Sequence, residues 1–322
     1  MKNNNTLSMS FRKITSVNEF ALFVILAGIM VFLSFTTEYF LTVRNLSNIL
    51  GQVSMAAIAS TGMVLVALTG EVDISIGSLQ AFIALPFIWA LNLTTNLPIA
   101  ILVTLILGGV IGCFNGFLVT KLKINSLIAT LGMYYILRGL VYVITGNTAI
   151  SETSGKEAFF LLGNAKLFRI IPYSAIIMAA VLLVFGYILK NTRHGRNIYA
   201  VGGNSEVAEF IGINPARIKF ISFVLSSILS SLAATILASR LGSANHLAGI
   251  GFEFKVIAAT VLGGVSLAGG RGSLLGAFIG VLILGVLQNG MGMLGFNIMW
   301  EQITTGLIII ISVALDEYKR SR

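Results

Sequence analysis

Charge is scarce in this sequence. Only 10% of its 322 residues are Asp, Glu, Lys or Arg, while 56% are hydrophobic and the mean hydropathy is +0.94. Soluble domains carry about 25% charged residues, so a chain this poor in charge cannot cover a water-facing surface, and an ordinary soluble enzyme is excluded. Proline is down to 4 residues, too few for a collagen-like or Pro-rich chain. The single cysteine, Cys113, excludes an intrachain disulfide. The two histidines, His194 and His246, stand far apart and leave no Cys/His zinc cage. A phosphate-binding Gly-x-x-x-x-Gly-Lys-Ser/Thr loop is absent: Gly269-Gly270-Arg271-Gly272-Ser273 has neither the spacing nor the lysine, so the chain does not hydrolyse ATP by that machinery. The Gly/Ser turns lack a histidine placed to activate a serine, which argues against a membrane hydrolase.

What the chain does have is long uncharged runs. Between Glu19 and Glu38 lie 18 such residues, between Arg44 and Glu71 lie 26, and between Asp73 and Lys121 lie 47. One bilayer crossing takes about 20 residues, so the last run crosses twice, turning at the polar stretch Asn92 to Pro98. The same count predicts an all-α, polytopic membrane protein of about ten transmembrane helices, near 20–37, 48–69, 75–91, 97–119, 124–145, 170–189, 219–240, 255–268, 273–292 and 298–315. The 34 glycines suit such a bundle, because Gly lets helices approach closely. Gly108, Gly112 and Gly116, and again Gly276 and Gly280, repeat at the four-residue spacing of helix contacts, within one subunit or between two.

The formal net charge of +9 does not indicate nucleic acid, since the basic residues stand singly between apolar runs. They report orientation instead. With the N-terminus inside, fourteen of the 21 Lys and Arg fall on the cytoplasmic side, among them Lys2, Arg12, Lys121, Lys190, Arg196, Lys219, Arg271 and Arg322. Seven, including Arg138, Lys156, Arg240 and Lys255, fall outside or in outward-facing helix ends. The expected organisation is a cytoplasmic tail over 1–18, one transmembrane domain over 19–316 with a cytoplasmic loop at 190–218, and a cytoplasmic tail over 317–322. The segment 146–169 is the long external loop. Leu68 to Ser78 and Leu262 to Ser273 echo each other, each ending in Gly-Ser before an apolar helix, in the manner of parallel repeats.

In the cytoplasmic loop, Glu206-Val207-Ala208-Glu209-Phe210-Ile211-Gly212 reads as a short amphipathic helix. Val207, Phe210 and Ile211 form its stripe, Ser205 can cap its start, and Gly212 can stop it in a left-handed conformation. It could dock in a groove of a cytoplasmic partner or lie on the membrane surface. Asp73 and Ser75 stand where the third helix begins, as a cap or as a gate. Arg138 and Glu301 are ionisable residues in or at the end of spans, where they either serve function or snorkel to the outer interface. Asn115, Thr130, Gln288 and Asn289 are polar residues within spans, able to bind a substrate in transit or to bond neighbouring helices.

Several short motifs in order carry a resemblance over about residues 35–316: Asn45 to Leu50, Gly70 to Ser78, Thr130-Leu131-Gly132 with Arg138-Gly139, Thr192 to Arg196, Tyr199 to Asn204, Ile257 to Gly264 and Ser266 to Gly270. Together they resemble the permease subunits of bacterial ABC monosaccharide importers. The resemblance implies a multi-pass subunit of the bacterial cytoplasmic membrane, paired with a second permease subunit as a homodimer. A cytoplasmic ATP-binding subunit and an extracytoplasmic sugar-binding protein would complete the importer. No cofactor is expected on this chain itself; ATP and Mg are used by the ATPase. Glu206, Ala208 and Gly212 match the family's Glu-Ala-Ala-x-x-x-Gly loop that contacts that ATPase, with Val207 in place of its first Ala, and Ser205 and Phe210 of the same helix are expected to couple with them. The cargo expected is ribose first, then another pentose, a hexose or a sugar-like signal. Where the family has Gly-Gly-Ile-Asp-Leu-Ser, this chain reads Gly70-Glu71-Val72-Asp73-Ile74-Ser75, so Glu71 is an added carboxylate. The rival from another class is a stand-alone ion-coupled secondary transporter, which needs acids deep in the bilayer. On the sequence, Glu71 and Asp73 fall at a cytoplasmic turn.

Overall fold

The computed structural model describes residues 4–151 and 157–320; Lys2, Lys156 and Arg322, counted in the charge split, lie outside them. The chain folds as helices α1 (Asn4–Thr36), α2 (Val43–Ala67), α3 (Ile76–Thr94), α4 (Leu97–Thr120), α5 (Ser126–Thr145), α6 (Glu157–Asn164), α7 (Tyr173–Asn191), α8 (Arg193–Gly203), α9 (Ser205–Phe210), α10 (Pro215–Leu241), α11 (Phe252–Leu262), α12 (Leu274–Met293) and α13 (Ile298–Arg320). Among the described residues, eight helices are long and apolar enough to cross a membrane: α1 over Glu19–Thr36, α2 to α5, α7, α10 and α12. The expected span at 255–268 is instead the 11-residue α11. Its extension is stopped by Gly263, whose backbone packs against Gly276 and Ala277, and by Gly264, which takes φ +84°. The last expected span is also short in apolar residues, Met299–Ala314.

Helix starts follow local chemistry. Asn96 accepts from the Ile99 N–H, Asn125 from Leu127, Thr192 from Gly195, Asn214 from Arg217 and Ser273 from Gly276. Pro215 then begins α10 at a position where its missing N–H costs nothing.

The centre of the bundle is α2, with 89% of its apolar window buried, α3, with 67%, and α10, with 61%; for α1 the figure is 17%. Large side chains on the outer helices stay uncovered, such as Phe35 at 86% and Leu183 at 75% exposure. That surface is tenable in lipid and not in water. The glycine spacing is used within the chain. Gly108, Gly112 and Gly116 of α4 lie on Ser231, Val224 and Phe220 of α10, and Gly280 of α12 lies on the backbone of Ala259 in α11. A Cβ at Gly112 would stand 2.7 Å from the Val224 Cα, which is backbone and cannot swing aside. Gly112→Val should therefore cost about 1–3 kcal/mol or more by overpacking. A lower unfolding temperature of the purified protein checks this, and an unchanged one would show that α4 and α10 do not meet there.

The helices alternate between two ends. At one, α8 meets the turn after α2 and the turn after α11: Gly270 N–H donates to Leu68 O at 2.9 Å, and Gly202 packs its backbone against both. The two echoing segments thus touch at the same end of the molecule. Lys121, Lys190, Arg196, Lys219 and Arg271 fall at this end, and Ser273 Oγ bonds Glu19 Oε1 there at 2.6 Å. At the opposite end, Ile150 and Ser151 pair antiparallel with Ala244 and Ser243, and Asn45 and Asn289 exchange side-chain amide bonds at 2.9 Å each.

Candidate functional site

Residues 70–75 do not form a surface turn. Residues 71–74 form no regular element and lead from the exposed Gly70 to the buried Asp73 and Ile74, where their backbone would lack partners. Side chains supply them: Val72 N–H donates to Ser126 Oγ at 3.2 Å and Ile74 N–H to Thr130 Oγ1 at 3.0 Å. In a dry interior each such bond replaces one that water would otherwise make. Asp73 is fully buried. Its Oδ1 accepts from the Ser75 N–H at 3.1 Å and the Ser75 hydroxyl at 2.6 Å, and its Oδ2 from Ser226 at 3.1 Å. Ser75 makes no side-chain cap of α3, and its Oγ also accepts from Asn115 Nδ2 at 2.9 Å. Asn115 and Thr130, two of the four polar residues offered as a substrate path, thus hold this segment in place. The expectation that Asp73 lies at a cytoplasmic turn is corrected: it sits inside, against Ser226 eleven residues along α10. Glu71, which the sequence left without a role, pairs with Lys219 near the start of α10 at 2.7 Å.

Gln288 and Asn289 go elsewhere. They line a cavity of ≈ 530 Å³ at the end opposite α9, together with Gln52, Gln80, Lys255 and Glu301. Five helices contribute these six polar side chains, which is why no short motif announces them. Lys255 Nζ donates to Gln288 Oε1. The Glu301 carboxylate lies within electrostatic range of Lys255, yet no ion pair joins the two. Glu301 therefore faces a cavity and is half-buried rather than snorkelling outward. Gln52, Gln80 and Lys255 were missed. Lys255 carried a usable signal, because an ionisable residue inside an apolar helix is by default functional.

Arg138 does not snorkel either. It is 5% exposed, with Nη1 donating to the carbonyls of His246 at 2.9 Å and Ala248 at 2.8 Å and Nη2 to Gly77 at 3.4 Å.

At the other end, α9 is a six-residue helix with exposed apolar side chains. Asn204, not the expected Ser205, caps it by accepting from Val207 N–H at 3.0 Å; Ser205 Oγ bonds back to Val201 O. Asparagine wins because it stands one residue earlier, at the extended φ −162° that a cap needs. Ala208 is buried and anchors the helix, while Glu206, Val207, Phe210 and Ile211 are exposed, Phe210 by 91%. Gly212 stops the helix at φ +84°; its N–H reaches Glu209 O, and that of Ile213 reaches Ala208 O. Beside it, His194 of α8 is partly buried, which holds its imidazole below the usual histidine pKa and favours the neutral ring.

Comparison with known proteins agrees with this architecture. Residues 45–313 match the family described as branched-chain amino acid transport system / permease component. The chain is 40% identical to the ribose import permease protein RbsC of Escherichia coli over 285 residues, 87% of this chain and 88% of that one. It is 37% identical to the L-arabinose transport system permease protein AraH of Escherichia coli over 313 residues, 97% and 94% of the two chains. With the RbsC of Haemophilus influenzae the identity is 37% over 322 residues, 99% and 98%. No solved structure matches the chain. A bundle of apolar helices matched to one permease family over most of its length and to sugar permeases end to end belongs to that family: the chain is a multi-pass ABC permease of the cytoplasmic membrane.

Proposed function

We propose that the chain is the membrane subunit of an ATP-driven importer that carries a neutral monosaccharide, ribose before arabinose, across the bacterial cytoplasmic membrane. The observation that carries this reading is the separation of two features in one bundle: an uncovered apolar stripe on α9 at one end, and a polar cavity at the other. The basic residues gathered at the α9 end support placing it in the cytoplasm, where an ATPase using ATP and Mg would grip Val207, Phe210 and Ile211. A sugar-binding protein would deliver cargo at the cavity end. Two permease subunits would rock between outward- and inward-open states as the ATPases close. Motion of α9 reaches the interior by a short route, because Lys219, seven residues after Gly212 and about one turn into α10, is bonded to Glu71 at the mouth of the 70–75 segment.

The buried Asp73 favours a second reading, an ion-coupled secondary transporter, since an acid inside the bundle is what ion coupling requires. That transporter has no use for the α9 stripe. Liposomes decide between the two. The permease alone should accumulate no ribose under an imposed proton or sodium gradient, and addition of the ATPase, the binding protein and ATP should start uptake. Gradient-driven accumulation by the chain alone would overturn the importer reading.

A further inference from the structure

We propose that the short hairpin ahead of α7, residues 166–172, is an anchor for the outer leaflet of the membrane, with Phe168 set among the lipid headgroups and Lys166 and Arg169 bound to lipid phosphates. The anchor depends on neither the cargo nor the ATPase; it needs only that α7 spans the bilayer. Lys166 pairs with Pro172 and Leu167 with Ile171, and the Ile170 N–H donates to Leu167 O at 3.1 Å. The two tip residues, Phe168 and Arg169, both take the left-handed region, at φ 49° and 61°. Tight two-residue hairpin turns need that geometry and are normally filled by Asn and Gly. A bulky aromatic and an arginine held there are strained, and strain of this kind gathers where a segment has a function. Phe168 is 83% exposed, with Arg169, Ile170 and Ile171 exposed beside it. Among the described residues neither Lys166 nor Arg169 takes part in an ion pair.

The bilayer is the surface within reach of this tip. Helix α7 has 19 residues, about 28 Å of length, which matches the thickness of the hydrocarbon core. Tyr173, its first residue, therefore stands at the outer edge of that core, where interfacial aromatic residues collect. The Tyr173 N–H donates to Ala165 O at 3.1 Å, which ties both ends of the hairpin to that edge. From Lys166 to Phe168 is two strand steps, about 7 Å. The headgroup layer is about 5–8 Å deep on each side, so the tip stays within it or at its edge however the hairpin leans. There an aromatic ring leaves water while the flanking cations meet phosphate oxygens. A protein partner would have to reach down to the lipid surface to cover the same ring. The base of the hairpin is keyed into the bundle: the buried Pro172 lies beside Gly51 of α2, where the Arg240 guanidinium of α10 also comes. A tip held at the headgroups thus sets the depth of the two central helices in the membrane.

The test is tryptophan fluorescence of the full-length chain in phosphatidylcholine vesicles, with Trp89→Phe and Trp300→Phe as the background. Phe168→Trp then reports on the tip, and Leu183→Trp, 75% exposed on α7, supplies the mid-bilayer reference. Lipid brominated near the headgroup end of its chains should quench the Phe168→Trp reporter at least twofold, and more than lipid brominated near the chain ends. The Leu183→Trp reporter should show the reverse order. Aqueous iodide should quench the tip reporter at least twofold less than it quenches free N-acetyltryptophanamide. Adding phosphatidylglycerol should shift the tip emission to the blue, whereas inorganic phosphate in the buffer should not. Lys166→Gln together with Arg169→Gln should abolish that shift, and an unchanged Leu183→Trp quenching order certifies that the spans of this variant are in place. Full iodide quenching without quenching by brominated lipid would overturn the anchor and leave the tip to water or to a protein partner. Lipid quenching that ignores phosphatidylglycerol, or a shift that survives the paired glutamines, would overturn the phosphate contacts.

Discussion

Replacing Arg138 by Met should cost about 3–5 kcal/mol of stability. The guanidinium supplies donors to the backbone of the 245–251 segment through the His246 and Ala248 carbonyls, and lies 5.5 Å over the Tyr134 ring. It also faces Glu253, 3% exposed, whose Oε2 has no hydrogen-bond donor. Removal orphans carbonyls in a dry interior and leaves a buried carboxylate without its compensating charge. Thermal unfolding of the purified permease measures the effect. Arg138→Lys should fall between the two, because an ammonium keeps the charge but cannot span both carbonyls with a planar fork. The double variant Arg138→Met with Glu253→Gln should recover part of the loss, since no uncompensated charge then remains. Additivity of the two single variants would show that Arg138 and Glu253 do not interact.

Arg138 also shows how far the sequence could be read. That it is ionisable inside a span was plain from the run of uncharged neighbours, but the His246 and Ala248 carbonyls that hold it lie more than a hundred residues away in a loop with no motif of its own. The helices themselves were legible, because twenty apolar residues in succession admit few alternatives in a bilayer. What length alone could not give was the interruption of α11, set by the glycine pair Gly263-Gly264 packing on α12. Nor could it give the inward course of residues 70–75, since a polar stretch after an apolar helix reads as a surface turn unless its bonding partners are known. Asn115 and Thr130 were visible as polar side chains in spans; only the tertiary arrangement shows that Asn115 bonds the Ser75 hydroxyl, that Thr130 bonds the Ile74 N–H, and that neither lines the cavity. Gln52 and Gln80 gave less signal still. Each is a neutral amide in an apolar helix, and convergence of α2, α3, α11, α12 and α13 on one cavity has no period that a linear reading can detect. By contrast the exposed stripe and the glycine stop of α9 were legible, since both are local, although the cap is Asn204 and not Ser205.

Gly212 tests that local reading and the coupling proposal together. A Cβ at this position would meet nothing within 4 Å, so a substitution acts through backbone conformation and not through a clash. At φ +84° an L residue other than Asn or Asp is held in the left-handed region at a cost of about 1–2 kcal/mol, more for a branched side chain. Gly212→Val should therefore unwind the stop, lose the Ile213 N–H bond to Ala208 O and turn Phe210 away from its docking direction. Sugar uptake by the assembled importer should fall tenfold or more, while insertion, yield and unfolding temperature of the permease stay close to wild type, because α9 holds little buried surface beyond Ala208. Gly212→Asn, which tolerates the same backbone angles, should retain most of the uptake. Phe210→Ala should match the valine variant in transport with the helix intact, since the docking stripe loses its most exposed side chain. The three variants together separate the possibilities. If valine and asparagine behave alike, the left-handed stop is not what aims α9. If Phe210→Ala transports normally, the partner does not grip this stripe, and the route from the ATPase into Lys219 and Glu71 must begin elsewhere on the cytoplasmic end.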